Sequence, residues 1–124
     1  MARTPFEKYG GFATVSKIVM VFYDRVLDSD IMAPFFDDVD MRRLTDHQTK
    51  FISQALGGPA AYTDDMLRNV HAGLGIDQRA FDEMIVLFEA TLREFELEEE
   101  DIQLVLGEIR ARTPVIVVPM GSSS

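Results

Sequence analysis

The stretch Val15–Leu27 reads VSKIVMVFYDRVL, and its apolar spacing decides the fold class. Val15, Ile18, Val19, Phe22, Tyr23, Val26 and Leu27 recur at helical intervals, which places them on one stripe of an amphipathic helix. Asp28-Ser29-Asp30 ends it. Upstream, Gly10-Gly11 is a break that limits Thr4–Tyr9 to a short turn of helix, and Thr14 or Gly11 is the expected cap of the long one. Downstream, Ile31–Phe36 is a short segment with Pro34 and the pair Phe35-Phe36. Asp37, Asp38 and Asp40 offer N-caps for a helix from Met41 to about Ala55, stopped by Gly57-Gly58-Pro59. Ala60–Asp65 reads as loop. A short helix from about Asp65 to Ala72 carries His71 and ends at Gly73, with Gly75 close behind. Phe81, Met84, Ile85, Phe88, Leu92 and Phe95 mark another long amphipathic helix. Glu96–Asp101 reads as an acidic connector and solvated helix start. Ile102, Val105, Leu106, Ile109 and Ile116 belong to a last helix that Pro114 should kink or end. Val115–Val118 is β-prone but has no strand to pair with. The pattern is all-α.

Composition narrows the function classes. A chain of 124 residues, 47% hydrophobic, suggests one globular domain with a single core. There is no cysteine, which excludes disulfides, thiolate catalysis, iron–sulfur clusters and cysteine zinc sites. Twelve Lys and Arg against 21 Asp and Glu leave a net charge of −9. Such a surface repels phosphate backbones and anionic membranes, so neither nucleic acid nor membrane is an expected partner. The apolar runs Ile18–Tyr23 and Pro114–Met120 are too short to span a bilayer. Glu7 and Lys8 precede any apolar stretch, so no signal peptide is read and a cytoplasmic location is expected. Gly121 and three serines form an expected disordered tail over residues 119–124, after a domain over 1–118.

The chain has two histidines, His47 and His71, and each is a candidate metal or haem-iron ligand. On a helical wheel of Met41–Ala55, Leu44, Gln48, Phe51 and Ala55 share a narrow sector, with Ile52 to one side and His47 to the other. Gln48 therefore stands amid an apolar face and needs hydrogen-bond partners. Tyr23, in the middle of its own apolar stripe, brings a hydroxyl with the same need. Either the two satisfy each other across a helix pair, or both point at a polar ligand in an apolar cavity. Other chemistries lack support. The His-x₃-His and His-Glu-x₂-His spacings are absent, no glycine-flanked serine elbow exists, and there is no phosphate-binding G-x-x-x-x-G-K-[ST] loop.

One series of short matches runs along the chain in order. It comprises Tyr9-Gly10-Gly11, Phe22 to Leu27, Ala33-Pro34-Phe35-Phe36, Val39-Asp40-Met41, His47-Gln48 with Phe51, Ala55-Leu56-Gly57-Gly58-Pro59, Tyr62-Thr63, and Val70-His71-Ala72-Gly73-Leu74-Gly75-Ile76. In this order and spacing the chain resembles a group I truncated haemoglobin from about Thr4 to Val118. The resemblance implies a two-over-two helical sandwich around one haem b, with most of the first globin helix lost.

Carried over by residue, the resemblance makes His71 the proximal iron ligand and Phe36 the ring stacked on the porphyrin. Tyr23 and Gln48 become the ligand-side hydrogen-bonding pair. Leu44 stands where many globins carry a distal histidine. In some cyanobacterial relatives a histidine matching His47 coordinates iron when no external ligand is bound; in others a lysine there reaches a haem propionate. Both roles stay open for His47 as a candidate distal ligand. Arg68 is either a propionate partner or a solvated surface arginine. Apolar haem contacts are expected from Phe35, Phe51, Ile52, Leu67, Val70, Ile76, Phe81 and Met84. No histidine follows His71, so a haem-vinyl crosslink to a later histidine is not expected. The implied function is reversible binding of oxygen, carbon monoxide and nitric oxide, for oxygen transport or for nitric oxide detoxification by dioxygenation with an electron-donating reductase. The rival, from a different class, is a non-catalytic oxygen or redox sensor with switchable His47–iron coordination. A haem-free helical interaction domain is a third reading.

Overall fold

A computed structural model describes residues 4–59, 63, 66 and 75–117. Apart from Met66, the segment expected to be a short helix around His71 falls outside the described residues, as do Leu67, Arg68, Val70 and the tail. Among the described residues there is no strand.

The chain opens with α1, Pro5–Lys8. Thr4 and Glu7 close a capping box: the Glu7 N–H donates to Thr4 Oγ1 at 3.2 Å, and the Thr4 N–H donates to Glu7 Oε1 at 3.3 Å. Helix α2, Gly11–Asp28, follows at once. Its cap is neither Thr14 nor Gly11 but Gly10, at φ +110°. That left-handed turn is open to glycine, and a Cβ at Gly10 would lie 2.4 Å from Thr14 Oγ1. The stripe Val15, Ile18, Val19, Phe22, Tyr23 and Val26 is buried as its spacing requires. Leu27 departs from the expectation and is 45% exposed. At 100° per residue it lies roughly 100° from the centre of the stripe, beyond the packed face.

A 3-10 turn at Ala33–Phe36 leads to α3, Met41–Ala55, capped by the Asp40 carboxylate on the Arg43 N–H at 3.2 Å. The buried face of α3 is wider than the apolar sector predicts. Thr49, Ser53 and Leu56 are buried beyond Leu44, Phe51 and Ile52, because α3 is packed both by α2 and by the helix α5 described below. Thr49 returns its hydroxyl to the Thr45 carbonyl at 2.8 Å. Gly58 ends the helix with its N–H on the Ser53 carbonyl at 2.7 Å. A Cβ there would meet the Phe6 ring at 2.7 Å, so glycine lets α1 seat against the end of α3.

Helix α4, Gln78–Glu94, is capped by Asp77 on the Ala80 N–H at 2.9 Å. Helix α5 spans Glu99–Ala111 and a final turn, α6, spans Thr113–Ile116. The expected last helix is thus two pieces, and Ile116 belongs to the second. Pro114 starts α6 instead of kinking α5, since its missing N–H costs nothing in a first turn. The acidic connector is also only partly solvated: Asp101 is 6% exposed. Tyr9 Oη donates to Asp101 Oδ2 at 2.5 Å, and Lys8 Nζ lies 3.0 Å from the same oxygen.

The four long helices form two pairs, α2 with α3 and α4 with α5. The pairs meet where α2 packs on α4 and α3 on α5. One continuous core fills the space between them. Arg25 ties α2 to α4 from the edge, donating to Thr91 Oγ1 at 2.8 Å and pairing with Glu94.

Candidate ligand cavity

Where the two helix pairs cross, the side chains leave a cavity of about 30 Å³. α2 contributes Val19, Phe22 and Tyr23. α3 contributes Gln48, Phe51 and Ile52, and α4 contributes Met84 and Phe88. Ile109 of α5 and Ile116 of α6 complete the wall. The volume suits two or three water-sized groups, on the rule that roughly 10–15 Å³ holds one.

Each polar group in this wall is there by helical register. Tyr23 is one residue beyond Phe22 on the buried stripe, and its residue as a whole is 6% exposed. Its ring meets Phe22 with centroids 5.0 Å apart and Phe36 edge-on at 6.1 Å. Phe22 in turn stacks at a tilt on Phe88 at 4.8 Å. These ring contacts pack the tyrosine into the cavity wall. Gln48 lies between Leu44 and Phe51 on α3 and is half-buried. A phenol and a carboxamide thus share one small cavity whose remaining lining is apolar.

The other expected site residues divide. Phe51, Ile52 and Met84 line the cavity with Tyr23 and Gln48. Leu44, Phe36, Ile76 and Phe81 are buried in the core without lining it, and Phe35 is half-buried. His47 is half-buried and lies off the cavity wall. Burial lowers its pKa first; the positive charges of Arg43 and Lys50 act in the same direction, and Asp46 opposes them. The neutral imidazole, the form that can ligate a metal, is therefore favoured. His71, Leu67, Arg68 and Val70 lie outside the described residues.

Val19, Phe22, Phe88, Ile109 and Ile116 also line the cavity and were not among the expected site residues. All five sit on apolar stripes, and a stripe position that walls a cavity reads the same as one that fills a core. Arg112 has no such signal. Its guanidinium carbon lies 5.3 Å from the Phe51 ring centroid, a contact between helices that no local pattern encodes.

Comparison with known proteins gives a consistent picture. A model of the family described as bacterial-like globin matches residues 4–114. The chain is similar to the group 1 truncated hemoglobin of Tetrahymena pyriformis, 35% identical over 92 residues, which is 74% of this chain and 76% of the relative. It is similar to the group 1 truncated hemoglobin GlbN of Synechocystis sp., 37% identical over 101 residues, covering 78% of this chain and 82% of the relative. The crystal structure of truncated hemoglobin from Tetrahymena pyriformis, Fe(III) form, superposes with a TM-score of 0.81 at 29% identity, covering 94% of this chain and 100% of that one. A 2/2 hemoglobin from Synechococcus sp., crystallised in the cyanomet state with covalently attached heme, superposes with a TM-score of 0.78 at 28% identity, covering 92% and 98%.

Proposed function

From the premise that this chain belongs to the bacterial-like globin family, as a group 1 truncated haemoglobin, we propose that it holds one haem b and reversibly binds oxygen, carbon monoxide and nitric oxide. Haem rests on the family match; the observation that carries the binding of a small polar ligand is the cavity that Tyr23 and Gln48 share within apolar walls. Among the described residues no group of three His, Asp, Glu or Cys could hold a metal, whereas a porphyrin brings its own ring nitrogens and needs an apolar bed and an axial side chain. His71 would supply that axial imidazole. Phe36 would stack on the ring, Arg68 would pair with a propionate, and Phe35, Phe51, Ile52, Leu67, Val70, Ile76, Phe81 and Met84 would make the apolar bed.

Haem, when bound, supplies a ferrous iron that takes a diatomic ligand. The chain's own residues set which ligand is held. The Tyr23 hydroxyl and the Gln48 amide can donate to a ligand atom that carries partial negative charge. Phe22, Phe88, Ile109 and Ile116 give the rest of the wall an apolar surface, and hydrogen bonds are stronger in such low-dielectric surroundings. Oxygen, the more polar ligand when bound, gains more from this wall than carbon monoxide does.

We place nitric oxide dioxygenation on this site: nitric oxide, oxygen and one electron from an external reductase give nitrate. Rapid mixing of the oxygen-loaded protein with nitric oxide tests it, with a fast reaction and stoichiometric nitrate expected. A slow reaction, or no nitrate, overturns the enzyme reading. It would favour the sensor reading. No described helix is long and apolar enough to cross a membrane.

A further inference from the structure

We propose that Arg112 is a positioning residue that holds the Phe51 wall of the Tyr23–Gln48 cavity and so sets the size of ligand the cavity admits. The inference rests on the reading of that cavity as the ligand side of a haem site. Arg112 is half-buried at the junction of α5 and α6. Its Nη1 donates to Glu108 Oε2 at 2.6 Å and to the Glu108 carbonyl at 3.1 Å, one turn back on α5. Those bonds fix the guanidinium to its own helix. Its carbon then lies 5.3 Å from the centroid of Phe51, which belongs to α3. A cation near an aromatic ring is drawn to the ring's negative face, more strongly when both are partly desolvated.

Phe51 lines the cavity one turn after Gln48, while Ile109 and Ile116, on either side of Arg112 in sequence, line it from α5 and α6. Arg112 therefore joins the two facing walls without being part of the lining. In a cavity of about 30 Å³ a small excursion of one phenyl ring changes what fits. Lysine would keep the charge and lose the guanidinium, whose Nη1 bonds Glu108 while its carbon lies near the Phe51 ring.

The test compares carbon monoxide with the bulkier tert-butyl isocyanide on the haem-loaded protein, together with the flip rate of the labelled Phe51 ring by NMR. In Arg112→Met, which keeps chain length and removes the cation, the isocyanide-to-carbon monoxide ratio of association rates should rise about threefold or more, and the ring should flip faster. Glu108→Gln should move both readouts in the same direction by less, and it carries the test if Arg112→Met does not fold. Arg93→Met, which breaks the exposed pairs with Glu89 and Glu99, should lower thermal stability and leave both readouts alone. An unchanged ratio and an unchanged flip rate in folded Arg112→Met overturn the proposal, as does an equal change in Arg93→Met. Failure of the purified protein to take up haem would overturn the functional reading instead; the ring-flip comparison would still test the Arg112–Phe51 contact.

Discussion

Tyr23 concentrates the chemistry of this chain in one hydroxyl. It sits on an apolar stripe, packs against Phe22 and Phe36, and lines the cavity beside Gln48. A hydrogen bond to a partly charged acceptor contributes about 1.5–3 kcal/mol, or roughly ten- to a hundredfold in a rate. Tyr23→Phe should therefore speed oxygen release by about that factor and change carbon monoxide release far less. Flash photolysis and ligand-replacement kinetics check this, and equal effects on the two gases would reduce Tyr23 to a steric role. Ser53 is the opposite case at the same scale. It is fully buried, and among the described residues its Oγ has no hydrogen-bond partner. An unpartnered buried hydroxyl costs about 1–3 kcal/mol, so Ser53→Ala should be neutral or stabilising by up to that amount in urea unfolding. A clear loss of stability would mean that the hydroxyl is satisfied in solution. Tyr23 and Gln48 were legible in the sequence because a polar group amid apolar neighbours stands out. Ser53 was not, since the face it lies on is polar in sequence and buried only by the packing of a second helix.

Among the elements, α1 has only four residues yet ties together two long helices. The Phe6 N–H donates to the Leu56 carbonyl at 3.0 Å at the end of α3, and Tyr9 reaches Asp101 in the first turn of α5. Tyr9 Oη also accepts the Glu98 N–H at 2.9 Å. The helices themselves could be read from apolar spacing, capping aspartates and glycine stops. This tie could not be, because its partners are about ninety residues apart and Asp101 sits in a run that looks solvated. Burial pushes the Asp101 carboxyl upward, but the hydrogen bond from Tyr9 and the charge of Lys8 outweigh it, and the net shift is downward. The ionised carboxylate thus contributes stability that is complete above its unfolded pKa and is lost as pH falls through the lower folded value. Tyr9 titrates the other way: burial and the bond to Asp101 raise its pKa, so its contribution is lost only in strong alkali. Asp101→Asn should destabilise by about 1.5–3 kcal/mol at neutral pH and flatten the acid limb of the stability curve. If Asp101→Asn and the unaltered chain lose stability in parallel between neutrality and acid, the tie is not what the acid limb reports.

At the scale of the whole molecule, the cavity has no single owner. Its walls come from α2, α3, α4, α5 and α6, and the proposed haem contacts Phe51 and Ile52 on α3 and Phe81 and Met84 on α4 belong to both helix pairs, so a haem held by them would join the pairs. Anything that binds the folded chain and not the unfolded one stabilises it by mass action, by about 4 kcal/mol at a thousandfold excess over the dissociation constant. Removing haem should therefore lower the melting temperature of the entire domain in one cooperative step, and should not melt a single helix alone. His71→Ala removes the axial imidazole and should bring the haem-treated protein close to the haem-free melting temperature, with added imidazole restoring part of the difference. Calorimetry with and without haem, on both proteins, decides the matter. Identical melting with and without haem in the unaltered chain would refute the haem reading. A His71→Ala variant that keeps full haem content and the full gain in melting temperature would leave that reading standing and move the axial ligand elsewhere, with His47 the remaining histidine of the chain.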